Sequence, residues 1–374
     1  MRVGIVCHPT FGGSGVMAME LANHLGRQGH SMHVISYAQP VRLDPFNTNV
    51  HYHEVQVQNY PLFLHQPYEL ALSSAMVEAV RRERLDILHV HYAIPHAYAA
   101  FMARQILADQ GIHIPVVTTL HGTDITLVGQ HPGYKPAVCF SINHSTAVTA
   151  VSESLRRETM DQFNIVRPIQ VIPNFVDMNR YSRGDDATRQ NIATAEEVII
   201  CHVSNFRKVK RIPDVIQIFA KIRAVRPAKL VMVGDGPERP AAETLAESLG
   251  CIADVLFLGK ISNIERILGV SDLFLLPSES ESFGLAALEA MASGVPVVAS
   301  QAGGLAEVVE HGLSGFLEPI GDVEAMANRA LELLNDSKKH AVFMAQAIAS
   351  SKRFSMEAIG QTYLDLYHSL VHGE

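Results

Sequence analysis

The chain has 374 residues, enough for two domains at roughly 150 residues each. It is 48% hydrophobic and 18% charged with a net charge of −8, which suits globular cores and excludes the broad basic field of a nucleic-acid binder. No apolar stretch approaches the ~20 residues of a membrane span, and Met1–Cys7 turns to glycine too early for a secretory leader. Four scattered cysteines (Cys7, Cys139, Cys201, Cys251) form no CxxC pair and read as reduced thiols. The expectation is a cytoplasmic protein with no nucleic-acid or membrane partner. Whether it is a homo-oligomer is left open.

Short apolar runs alternate with helical patterns twice along the chain. Val3–Cys7 reads as a strand and Gly15–Gly26 as a helix, followed by strands at His33–Ser36, Ile87–His91, Val116–Leu120 and Ala147–Val151. In the second half, Val198–Val203, Leu230–Val233, Val255–Leu258, Leu273–Leu276 and Pro296–Ala299 read as strands. The helices there are Pro213–Ala224, Ala241–Leu249 and Leu285–Ala292. Continuous apolar strands separated by helices imply parallel sheets covered on both faces. Residues 1–172 are expected to form one α/β domain and 173–354 a second. The polar, proline-bearing stretch from Ile172 to about Ala195 reads as the linker, and the helix over 355–374 is expected to pack back on the first domain.

The motifs all follow strand ends, where open α/β sheets bind ligands. Phe11-Gly12-Gly13-Ser14-Gly15 opens a helix after the first strand, and such a start suits an anion; the plain alternative is a turn that needs glycine. Strand two ends Ser36-Tyr37-Ala38 without the acid a nicotinamide fingerprint requires. His89 and His91 share a strand face and His121 ends another strand. No zinc-site spacing supports metal there, so hydrogen-bonded histidines are expected, with Tyr92 turned toward the ligand. Thr119-Leu120-His121-Gly122-Thr123-Asp124 is a hydroxyl-rich turn suited to a sugar or an acceptor.

In the second half, Asn205-Phe206-Arg207-Lys208-Val209-Lys210-Arg211 clusters cations at a strand end, as a diphosphate requires, although some of them are expected simply to face solvent. Gly234-Asp235-Gly236 is another glycine turn. In Pro277-Ser278-Glu279-Ser280-Glu281-Ser282-Phe283-Gly284, an acidic loop leads into a helix carrying Glu289, and helical rise predicts ~12 Å from Glu281 to Glu289. The free N–H groups of the helix start would lie between the two acids.

That last segment resembles the glutamate-x7-glutamate motif of the retaining glycosyltransferases of family 4. Gly303-Gly304-Leu305-Ala306-Glu307 and Gly312-Leu313-Ser314-Gly315-Phe316 extend the resemblance over nearly the whole chain. It implies the GT-B fold, two Rossmann-like β/α/β domains facing across a cleft, and a UDP-sugar-dependent hexosyltransferase that works without metal or cofactor. By the same resemblance, Glu289 binds ribose hydroxyls. Glu281, with the backbone of Phe283, Gly284 and Leu285, holds sugar and diphosphate, and Lys210 contacts phosphate. Gly13 and Gly234 line the nucleotide-sugar. The family's usual arginine falls on Asn205, so its charge passes to Arg207 or Lys208, a choice the sequence leaves open. Ser14, Tyr92, Thr119, His121 and Asn174 surround a small anionic acceptor, for which L-malate is implied, and His121 and Glu281 serve catalysis. The alternatives are another small acceptor or a UDP-sugar epimerase.

Overall fold

A computed structural model describes residues 1–10, 12–57 and 65–373; Phe11 of the first glycine motif lies outside them. The chain folds as two compact units, Met1–Asn174 with Met356–Glu374, and Phe175–Ser355.

The first unit is a seven-stranded sheet. Its strands are β1 (Arg2–Val6), β2 (Ser31–Ser36), β3 (Val50–Glu54), β4 (Ile87–His91), β5 (Val116–Leu120), β6 (Ala147–Ala150) and β7 (Ile169–Val171). They lie in the order β3-β2-β1-β4-β5-β6-β7, every pair parallel. The second unit holds β8 (Val198–Val203), β9 (Ala228–Val233), β10 (Val255–Gly259), β11 (Leu273–Leu276), β12 (Val297–Ser300) and β13 (Gly315–Glu318). Their order is β10-β9-β8-β11-β12-β13, again all parallel. Central strands such as Ile87–His91 and Leu273–Leu276 are buried along their whole length, because helices cover both faces.

Three strands were not anticipated. β3, β7 and β13 are all sheet edges. An edge strand is buried on fewer sides, so Val50-His51-Tyr52-His53-Glu54 carries polar residues that break the apolar run.

Each sheet reverses its winding direction once, between β1 and β4 in the first unit and between β8 and β11 in the second. Loops that leave the carboxyl ends of these neighbours diverge to opposite faces and open a crevice. The glycine motif after β1 therefore flanks the Tyr92 turn after β4. Likewise the cationic loop after β8 flanks the acidic loop after β11.

The C-terminal helix Met356–His372 lies on the first unit. Tyr367 OH is 2.6 Å from His89 Nδ1 on β4, and Tyr363 OH is 3.5 Å from Thr119 Oγ1 on β5. It also crosses the helix Gly13–Arg27 at Gly360, where an added Cβ would come within 2.7 Å of the His24 ring. Any larger residue at 360 would push the two helices apart. That double packing explains why Ser14 through Gly26 are all buried.

The stretch read as a linker is built into the second unit beyond Asn174. Val176 bridges to Ser355, Gly184 N–H donates to Gly269 O at 2.8 Å, and Tyr181 is buried. Its polar composition concealed these anchors, because each apolar contact there is made by a single residue rather than a run.

Candidate active site

The second unit places its chemistry on two loops. Glu281 Oε1 accepts from Lys210 Nζ at 2.6 Å and from Ser278 Oγ at 2.8 Å. The loops are also stitched by Glu279 N–H to Val209 O at 2.8 Å. Lys210 is thus an ion-paired cation, and both side chains are largely shielded from solvent. An incoming phosphate would join this pair and take a share of the lysine's three donors.

The helix after the acidic loop begins at Leu285 and ends at Ala292. The residue before it is Gly284 at φ 97°, a left-handed conformation that favours glycine and offers no side chain to cap the first amides. Those amides and the positive end of the helix dipole remain the natural seat of an anion. The expected ~12 Å helical span from Glu281 to Glu289 is corrected here, because residues 281–284 are not helical. Only the rise from Leu285 to Glu289, about 6 Å, follows helix geometry. Glu289 is buried, and its Oε1 accepts from Tyr181 OH at 2.6 Å. Phe283 is buried with its ring edge-on to Phe354 at 5.5 Å. Gly303 and Gly304 press on this loop so closely that a Cβ at either would lie 2.2 or 2.4 Å from the carbonyl of Glu281 or Ser282.

The cations of the 207–211 run divide. Arg211 turns away to Asp214 at 2.6 Å, in the first turn of the following helix. Arg207 and Lys208 are exposed at the short 3-10 turn, and Asn205 is exposed beside them. Gly234 has a structural requirement of its own. At φ 120° a Cβ there would sit 1.7 Å from Ser204 O, so this glycine is required for one loop to pass over the other.

The first unit gathers neutral groups at its switch point. His91 Nδ1 and His121 Nε2 are 2.8 Å apart, with their rings stacked at 5.0 Å. Tyr92 lies over His121 at 5.6 Å between centroids, and its hydroxyl is 2.8 Å from Thr123 Oγ1. Tyr92 holds φ 93°, an unusual strain for a bulky residue and one that aims its ring. Burial pushes His89, His96 and His121 each down to about 3, with the neighbouring imidazoles adding to the effect. Such rings give and accept hydrogen bonds without carrying charge.

Asp124 escaped notice in the sequence although it is the pin of this cluster. Its Oδ1 accepts from His121 N–H at 3.2 Å and Gly122 N–H at 2.9 Å, and its Oδ2 from Ala93 N–H at 3.1 Å. One buried carboxyl therefore ties the turn after β4 to the turn after β5. Burial outweighs those donors and raises its pKa to about 6. The readable signal was an acid in the first turn after a strand-ending glycine. Tyr181 and Ser278 were also missed, and nothing in their local sequence marks them.

Thr119 is turned into the sheet. It is fully buried, with its hydroxyl 2.7 Å from both His89 Nε2 and Thr149 Oγ1. It sits inside β5, one residue short of the strand end, so its side chain supports the sheet under the C-terminal helix. Ser14 is buried at the start of the helix Gly13–Arg27, Gly13 is exposed at its first position, and Asn174 is half-buried at the last position of its segment. Gly12 precedes that helix without a capping side chain. A Cβ at Gly15 would lie 2.3 Å from His8 O, so the helix start can approach β1 only with glycine there.

Two doubly wound parallel sheets in one chain, each with its polar groups gathered at the switch point, have the architecture of the GT-B fold. Residues 11–180 match the family described as Glycosyltransferase Family 4, and residues 185–349 match Glycosyl transferases group 1. The chain belongs to the family 4 glycosyltransferases. It is 44% identical to N-acetyl-alpha-D-glucosaminyl L-malate synthase of Bacillus anthracis over 100% of this chain and 98% of that protein. It is 30% identical to D-inositol 3-phosphate glycosyltransferase of Rhodococcus opacus over 78% of this chain and 71% of that one. In fold it is similar to Anabaena HepE, solved in complex with UDP and glucose, at a TM-score of 0.83 and 22% identity over 99% of this chain and 100% of that chain. Among the described residues, no helix is long and apolar enough to cross a membrane.

Proposed function

We propose that this enzyme transfers N-acetylglucosamine from UDP-N-acetylglucosamine to L-malate with retention of the anomeric configuration, the first step of bacillithiol biosynthesis. The observation that carries this reading is the 44% identity, end to end, with a synthase of that product.

In this scheme the second unit binds the donor. Glu289, positioned by Tyr181, accepts hydrogen bonds from the ribose hydroxyls. The diphosphate rests on the amides of Phe283, Gly284 and Leu285, with Lys210 and Arg207 balancing its charge. Glu281 shares Lys210 and receives sugar hydroxyls. The first unit binds the acceptor. The amides at Gly13 and Ser14 receive a malate carboxylate, and Tyr92, His121 and Asn174 border the hydroxyl that attacks. That hydroxyl approaches from the face UDP is leaving and passes its proton to the departing β-phosphate oxygen. The C–O bond to UDP breaks as the new glycosidic bond forms. Catalysis then rests on positioning and on stabilising charge at the diphosphate, with no metal required. His121, held neutral, orients the sugar or acceptor by hydrogen bonding. A cytoplasmic setting accords with four free cysteines, three of them buried.

The test incubates the enzyme with UDP-N-acetylglucosamine, UDP-glucose and UDP-galactose against L-malate, D-malate, an inositol phosphate and no acceptor, reading UDP release and product mass. UDP release that depends on L-malate, with a product of N-acetylglucosaminyl-malate mass, is expected. Release that favours the inositol phosphate, or a changed sugar without acceptor, would replace the proposal.

A further inference from the structure

On the outer part of the first sheet, three imidazoles gather on one face. His33 of β2 pairs in register with His51 of β3, and Ile35 with His53, so His33, His51 and His53 project to the same side. His33 Nδ1 lies 2.9 Å from His53 Nε2, and the His33 and His51 rings are 4.9 Å apart. Glu83, the last residue of the helix Tyr68–Glu83, brings its carboxylate to the same place. His33, His53 and Glu83 each offer a donor atom, all within 4.8 Å of one another.

Donors around one tetrahedral zinc stand about 3.3 Å apart, since Zn–N bonds are about 2.0–2.1 Å. The observed cluster closes on that spacing with small side-chain shifts. Two nitrogens and one carboxylate are the donor set of borderline divalent metals rather than of magnesium or calcium. His33 Nε2 is 3.0 Å from Ser31 Oγ, an outer contact that fixes the ring and directs Nδ1 toward His53. His33 is buried and held neutral, so its lone pair is available. The opposing charges are Arg2, which depresses His33, and Arg82, which bonds Glu83 at 2.9 Å with a largely exposed side chain that can swing to solvent. Glu78 adds a second acid facing His53.

We propose that His33, His53 and Glu83 form a binding site for a zinc-class divalent cation, which clamps the edge strand β3 to β2 and to the end of the helix Tyr68–Glu83. On binding, the proton between His33 Nδ1 and His53 Nε2 moves to His33 Nε2, where Ser31 Oγ accepts it, and His53 keeps its ring proton on Nδ1, so both neutral rings present a lone pair to the cation. β1 separates this site from β4 and the Tyr92 turn, so it is distinct from the transfer chemistry.

The test uses full-length protein without an affinity tag, stripped with chelator and titrated with zinc chloride by calorimetry, with bound metal counted by mass spectrometry after dialysis. One equivalent is expected, together with a raised melting temperature. His53→Gln and, separately, Glu83→Gln should each weaken binding at least tenfold and abolish the melting shift, while circular dichroism stays unchanged. The stacked pair His368 and His372 is the competing surface site. A His372→Gln variant should bind as the parent does. Undiminished binding in His53→Gln and Glu83→Gln, loss in His372→Gln, or no retained zinc in the parent would each overturn the proposal. Acceptor-dependent UDP release should persist in His53→Gln, which separates this outcome from failure of the proposed activity.

Discussion

The two units share a topology but build their polar sites from opposite materials. Eight of the nine lysines lie in the second unit, whereas sixteen of the nineteen histidines lie in the first. The second unit accordingly gathers a Lys210–Glu281 ion pair and an uncapped helix start at its switch point. The first gathers uncharged imidazoles and hydroxyls pinned by one buried acid. The difference teaches that one fold, used twice, can gather charged groups at one switch point and neutral hydrogen-bonding groups at the other. The switch point supplies only the place.

The sharpest way to break this contrast is to remove the charge. Lys210→Ala should lower kcat for UDP release by about 10²–10³-fold, the usual cost of losing one group that stabilises developing charge. Full activity in that variant, or loss of transfer on adding chelator, would sink the charge-based account of the second unit. Next in size is Asp124→Ala, which leaves three buried N–H groups without an acceptor. It should destabilise the protein by about 2–3 kcal/mol in urea unfolding and lower kcat as the Tyr92 and His121 turns loosen.

Acid should discriminate between the units as well. Burial lowers His89, His96 and His121 to about 3 and His33 to about 4, all in the first unit, against His202 at about 4 in the second. Below pH 6.5 the unfolded chain takes up protons that these native rings refuse, so stability is present above that pH and falls steadily as it drops toward 4. Asp124, raised to about 6, opposes the trend but is a single group. Thermal unfolding followed by tyrosine fluorescence across that range should show the loss, and a flat profile would refute the neutral-network description.

Smaller effects sharpen the second unit. Gly284→Ala forces a Cβ into a left-handed residue and to 2.5 Å from Leu305 Cδ2. A loss of about 1–2 kcal/mol in stability is expected, with weaker donor binding. Tyr181→Phe removes only the hydroxyl that holds Glu289. It should raise KM for the UDP-sugar by several-fold, about 1 kcal/mol, and leave kcat nearly unchanged.

Much of this was readable along the chain. Central strands such as Ile87–His91 and Leu273–Leu276 and the helix Leu285–Ala292 fall where continuous or periodic hydrophobicity places them. The glycine turns and the acidic loop stand at strand ends as their composition implies. Edge strand β3 was hidden because half of its surface faces solvent. The burial of Thr119 was not legible because a hydroxyl near a strand end looks alike whether it points to a ligand or into the sheet. Tyr181 was invisible because its partner Glu289 is 108 residues away.

The sequence by itself determined the class of the molecule: two α/β units with their polar motifs at strand ends, since periodicity and turn chemistry are local properties of consecutive residues. Only the tertiary structure decided that β8 lies beside β11 and β4 beside β5, and hence that Lys210 meets Glu281 and that Asp124 joins two turns. Strand order arises from how helices pack across whole sheets, and that energy is shared among residues too distant in the chain to leave a local pattern.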